Sequence, residues 1–286
     1  MYRNEILATI RLAHHFGSAF TADQTYRYLR VAMARPLFDH SLATLVAEGV
    51  VVREDALYFE DLTATTRCKK KWSRDLFGKY RKDLGRLVRL PGVRFASLTG
   101  ANAFESCAEK DDIDLFFVTR ADTLWLTYFA MVIFTKIKGL RPTFCINFLV
   151  DEKHLHIEQQ DYFTAVQLIQ MIPLCDSDIG KALLGANPWI FDYLPNADPG
   201  LIAHSFYRLS RRHKRASLFP PKFLAGINRL IYRSYRHHLA KKYPSEIGRG
   251  LDLRPGMAKL NRLDHRDLYQ EIYRKIDLEI AAECQA

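Results

Sequence analysis

The chain has 286 residues, 48% of them hydrophobic and 12% aromatic, with a formal net charge of +10. That composition excludes a disordered or collagen-like polymer, and the length suits two or three modest cores. Five widely spaced cysteines without a CxxC pair exclude a disulfide-stapled secreted scaffold and point to reduced thiols in a cytoplasm.

In chain order, residues 1–62 read as three helices and a two-stranded hairpin. Ile6, Ile10 and Ala13 recur at helical spacing, Thr21 is an N-cap, and Arg35-Pro36 opens a third helix that stops at Gly49. Val50–Val52 and Leu57–Phe59 flank a turn, so the module resembles a winged helix-turn-helix. With six Arg against eight Asp/Glu, and Glu54-Asp55 at the wing tip, it is poorly charged for DNA phosphates and fits a scaffold or protein-contact role. Residues 63–92 form a basic helical connector with a stripe at Trp72, Leu76, Tyr80, Leu84 and Leu87.

Residues 93–160 alternate strand, turn, strand, helix and strand: Val93–Leu98, Asn102–Ser106, Ile113–Thr119, Thr123–Lys138 and Phe144–Val150. The most apolar run, Leu124 to Phe134, is short of the roughly 20 residues that span a bilayer, and MYRNEILATI lacks the layout of a secretory leader. Residues 161–286 read as a helical, basic C-terminal region broken at prolines. The fold class is α+β.

Charge is concentrated in two blocks. Ala203–Lys242 carries eleven Lys/Arg and no acid, and Arg67–Arg94 carries eleven Lys/Arg against Asp75 and Asp83. Such blocks bind an anionic partner, nucleic acid or a membrane surface, or else form solvated helix faces. Arg208, Arg211, Arg212, Lys214 and Arg215, just before Pro220-Pro221, are the candidate anion-binding cluster.

The segment TGANAFESCAEKDDIDLFFVTR, residues 99–120, carries the chemistry. Side chains at i and i+2 of a strand share a face, so Asp112 and Asp114 project together while Ile113 points to the core. Two adjacent carboxylates raise each other's pKa unless a cation lies between them. Mg²⁺ or Mn²⁺ relieves that repulsion and takes carboxylates together with phosphate oxygens. Gly100 ends the preceding strand where a phosphate can approach backbone N–H groups.

Leu98-Thr99-Gly100-Ala101 followed by Asp112-Ile113-Asp114 and an apolar strand resembles the signature of the DNA polymerase β-like nucleotidyltransferase superfamily over residues 93–150. The helical segment beyond it is similar to bacterial nucleotidyltransferase domain-containing proteins. The resemblance implies a small mixed sheet, phosphate contacts at Gly100 and Ala101, and catalytic metal ligands at Asp112 and Asp114. It further implies a nucleoside triphosphate substrate and transfer of a nucleotidyl group to a hydroxyl.

Two positions depart from that pattern. Ala101 stands where the family has Ser, and Asn147 stands on the strand of the third carboxylate, where an amide cannot serve as a general base. Asn147 is then expected to be part of the catalytic site, orienting the acceptor or standing in place of a lost base. Strand alternation puts Asp151 on Asn147's face, about 13 Å further on at roughly 3.3 Å per residue. The alternative function is a catalytically silent nucleotidyltransferase fold that binds nucleic acid or a partner protein through its basic segments. His154-x-His156 lacks a third ligand for zinc.

Overall fold

The computed structural model describes residues 2–15, 17–60, 64–175, 177–200, 204–209, 220–248, 250–261 and 266–283. Helices α1 (Tyr2–His15), α2 (Ala22–Arg27) and α3 (Arg35–Ala47) are interleaved with strands β1 (Phe20–Thr21), β2 (Val52–Glu54) and β3 (Leu57–Phe59), which form a sheet of order β1-β3-β2. Thr21 caps α2 as its sequence indicates: its hydroxyl accepts from Gln24 N at 3.2 Å, and Gln24 Oε1 accepts from Thr21 N at 3.0 Å. Strand β1, two residues long, carries no periodicity from which sequence could find it.

After α4 (Ala64–Leu87) come β4 (Val93–Leu98), α5 (Gly100–Ala103), β5 (Ile113–Thr119), α6 (Leu124–Ile137) and β6 (Phe144–Asp151). Then follow α7 (Tyr162–Gln170), β7 (Ile172–Cys175), α8 (Ser177–Gly185), α9 (Ile190–Tyr193), α10 (Pro221–Lys242), β8 (Leu251–Arg254), β9 (Met257–Leu260) and α11 (Arg266–Glu283). The architecture is mixed α+β, with a second sheet of order β7-β4-β5-β6-β9-β8. β4 runs antiparallel to β5, and β5 runs parallel to β6 with α6 as the crossover.

The large sheet is covered on both faces. Ile113, Leu115 and Phe117 of β5 pack with Phe77 and Leu84 of α4 and Trp125, Tyr128 and Met131 of α6. Phe116 and Val118 point the other way, toward Ala165, Leu168 and Ile169 of α7. The apolar α6 is sandwiched between the sheet and α10, whose buried Asn228 accepts from Trp125 N (2.8 Å) and Leu126 N (3.1 Å) and so satisfies two donors at the α6 N-terminus. Among the described residues no helix is long and apolar enough to cross a membrane.

The sequence reads the region beyond Asp161 as helical almost to its end, but the structure corrects this: it also supplies β7, β8 and β9 to the large sheet. Nor does its last helix stay with it. Ile272, Ile276 and Ile280 of α11 are buried against Ile6 and Ile10 of α1 and Leu42 of α3. Arg30 clamps the joint, bonding Glu5 and Asp277. Ile276→Ala removes buried methyl groups from this joint and is expected to cost about 2–4 kcal/mol in chemical denaturation. An unchanged midpoint would show that α11 is not part of the cooperative core.

Candidate functional site

The site forms where β4 ends and β5 and β6 begin, because antiparallel pairing returns Thr99-Gly100 to the start of β5. Thr99 N donates to Asp114 O at 3.1 Å, which fixes that approach. Asp112 lies just ahead of β5, with its carbonyl held by Asn102 Nδ2 at 2.9 Å and its N–H by Asp111 Oδ1 at 3.0 Å. The structure brings Asp112 and Asp114 together and adds Cys145, paired with Asp114 across β5 and β6. One ligand atom from each of these three residues lies within 4.8 Å of the other two.

Asn147 occupies a bulge: Leu115 pairs with Ile146, but Phe116 pairs with Phe148. The bulge puts Asn147 within reach of the carboxylates, and its Nδ2 donates to Asp114 Oδ1 while its Oδ1 accepts from Cys145 Sγ at 2.6 Å. The bulge also overturns the strand alternation assumed for Asp151. Val150 packs with Phe148 in one core and Leu149 in the other, so Asp151 falls on Leu149's face. There it is buried, accepting from Lys153 N (3.0 Å) and Asp122 N (3.2 Å) and lying 2.6 Å from His154 Nδ1. His154 and His156 both spend a ring nitrogen on local contacts, His156 Nδ1 lying 3.1 Å from Ala186 O.

Burial and mutual repulsion both act on the carboxylates of the cluster. Burial, and then the neighbouring charge of Asp112, pushes the Asp114 carboxyl up to about 7. Burial also raises Asp112. The Cys145 thiol is pushed up to about 12, by burial and then by the two carboxylates.

Gly100 is fitted to this carboxylate. Its φ of +56° is in the left-handed region, and a Cβ there would lie 2.5 Å from Asp114 Oδ2. Its N–H donates to Gln167 Oε1 at 3.1 Å, so a phosphate reaching this donor has to displace the Gln167 side chain. Ala101 offers no hydroxyl and faces a second cavity.

Two adjoining cavities meet here and share Phe163, Gln167 and Tyr269. The larger, about 680 Å³, is lined by Asp114, Cys145 and Asn147 together with Lys259, Glu246 and Tyr269. One carboxylate oxygen of Glu246 is buried without a hydrogen-bond partner among the described residues. The smaller, about 180 Å³, includes Phe20, Phe104, Tyr162 and Tyr273 in its lining and reaches Gly100 and Ala101. None of the described arginines of α10 lines either cavity. Arg208 lies beyond the 3₁₀ turn at Ser205–Tyr207, its carbonyl bonded by Arg81 Nη2 at 2.7 Å, while Arg211, Arg212, Lys214 and Arg215 lie outside the described residues.

Sequence reasoning missed Cys145, though alternation from Asn147 puts it on the same face. It missed Gln167, since a glutamine in a helix carries no signal of its own. It also missed Lys259, which arrives on β9. The run LDLR-PG-MAKL holds the hairpin signal, two strand-like stretches around a Pro-Gly turn.

The donor set is mixed. Two carboxylates suit a hard ion such as Mg²⁺, whereas a thiol does not. No family model, no curated protein and no solved structure matches this chain.

Proposed function

We propose that this protein is a nucleotidyltransferase-like enzyme that uses a divalent cation and a nucleoside triphosphate to transfer a nucleotidyl group to a hydroxyl acceptor. The observation that carries the reading is the convergence of Asp112 and Asp114 beside Gly100, with Asp114 lining a cavity large enough for a nucleotide. A cation there, Mg²⁺ or Mn²⁺ in the simplest case, supplies charge neutralisation for the phosphates. Asp112 and Asp114 hold it, and Gly100 and Ala101 offer the backbone against which phosphate lies. Asn147 steadies Asp114 and leaves the acceptor's proton to another group. The mixed sheet around β4, β5 and β6, with a three-helix, winged-helix-like module ahead of it, is in keeping with the resemblance seen in the sequence. Function in a reducing cytoplasm keeps Cys145 a thiol.

Calorimetric titration of Mg²⁺ or Mn²⁺ with ATP tests the reading. Wild type is expected to bind nucleotide only with metal, and Asp112→Asn/Asp114→Asn not at all. A wild type that ignores ATP with either metal overturns it.

One observation favours the silent alternative: Asp114 already has a protein donor in Asn147, so the pair is partly satisfied without a metal. That reading expects nucleic-acid or protein binding through the basic segments that survives Asp112→Asn and weakens steeply with salt.

A further inference from the structure

Two strands deliver three different donors to one point. Asp112 and Asp114 come from the start of β5 and Cys145 from the start of β6, with ligand atoms within 4.8 Å of one another. The register that pairs Asp114 with Cys145 makes the thiol a fixed member of the set. In a tetrahedral zinc site, Zn–O of about 2.0–2.2 Å and Zn–S of about 2.3 Å put neighbouring ligand atoms roughly 3.5 Å apart. Rotation of the side chains closes the remaining ångström or so.

Asn147 has the place of an outer partner. Its Nδ2 bonds Asp114 Oδ1, while the bare Gly100 leaves room for Asp114 Oδ2, so one carboxylate oxygen has an outer donor and the other is left for a metal. Two of the three donors, Asp114 and Cys145, line the 680 Å³ cavity, and that side leaves a fourth position for water or a phosphate oxygen. Three protein ligands and one open position is the layout of catalytic rather than structural zinc sites.

Magnesium is a poor match for this set, because it demands oxygen ligands in near-octahedral array. Thiolate selects ions further along the softness scale. We infer, on the divalent-metal reading proposed above, that Asp112, Asp114 and Cys145 form a three-ligand site for a thiophilic divalent ion of the zinc class, with its fourth position open to the cavity.

Cobalt(II) is the probe, since a cobalt–thiolate bond gives a charge-transfer absorption that oxygen ligands do not. Wild type titrated with Co²⁺ is expected to develop that band at one ion per chain, and Zn²⁺ to abolish it by competition. Cys145→Ser is expected to lose the band and to bind Zn²⁺ on the order of 10–100-fold more weakly, at least the loss that follows removal of an outer partner. Its Mg²⁺ affinity stays within about threefold, because the carboxylates remain. Asp112→Asn should also lose the band, which separates the site from the exposed thiol of Cys68. Cys145→Asp, an all-oxygen set, should shift preference toward Mg²⁺ and guards against a serine variant that fails to fold. Stoichiometric Co²⁺ binding without the band, or a band that persists in Cys145→Ser, overturns the thiolate assignment while leaving the carboxylate site standing. A wild type that binds no divalent ion overturns both.

Discussion

Asp114→Asn is expected to separate binding from stability: metal-dependent nucleotide binding falls while the folded state gains on the order of 2–4 kcal/mol at pH 8. The gain follows from the buried carboxyl, pushed up to about 7 by desolvation and by Asp112. Between the ordinary carboxylate range and that value, the folded chain keeps a proton that the unfolded chain has released. Stability is therefore fully present at low pH, declines as pH rises through this window, and levels off above about 7. The amide carries no such penalty, so thermal denaturation should show the variant ahead by roughly 5–10 °C at pH 8. By pH 5 the gap should shrink to less than half. Nucleotide binding should meanwhile weaken about a hundredfold or more, beyond what loss of an outer partner costs. A variant that is less stable than wild type at pH 8 refutes the electrostatic account.

The same carboxyl dictates how metal binding responds to pH. A cation takes the ionised form, so protons compete with it below about 7. Affinity for Mg²⁺, which leaves the Cys145 thiol protonated, is expected to be about tenfold lower at pH 6 than at pH 8, with a proton released on binding that calorimetry in buffers of different ionisation enthalpy detects.

What sequence reveals here depends on the range of the interaction. β4 and β5 are local runs of apolar residues, and their bounds are the same in sequence and structure, Val93–Leu98 and Ile113–Thr119. The i, i+2 rule is also local, so it brings Asp112 and Asp114 together without any knowledge of the fold. The bulge at Asn147 is different in kind. It depends on how β6 pairs with β5 and reverses every face downstream of it, which is why Asp151 goes where alternation does not put it. Helix α11 shows the same limit on a larger scale. Its isoleucine stripe announces a buried face, but nothing in the stripe says that the partner is α1, more than 250 residues earlier.

Gly100→Ala is the substitution expected to damage both fold and site. The residue pays twice for a side chain. Its φ of +56° disfavours any Cβ by about 1 kcal/mol or somewhat more, and the new atom would lie 2.5 Å from Asp114 Oδ2 and 3.2 Å from Asp114 Cγ. The backbone cannot slide away freely, because its N–H is bonded to Gln167 and its carbonyl accepts from Phe104 N at 3.3 Å. The carboxylate must turn instead, breaking the bond from Asn147 and leaving the line of Asp112 and Cys145. The expected loss is about 2–3 kcal/mol of stability, with metal-dependent nucleotide binding reduced at least about tenfold. Gly139→Ala is the matched control: its φ is +66°, yet nothing lies within 4 Å of the Cβ position, so only the backbone cost of about 1 kcal/mol remains. Placing Gly100→Ala in an Asp114→Ala background should reduce its cost to the Gly139→Ala level, since the clashing oxygens are gone and only the dihedral remains. If the cost of Gly100→Ala is the same with and without the Asp114 carboxylate, the glycine is there for the turn alone. The close fit between the loop and the carboxylate would then have no part in the site.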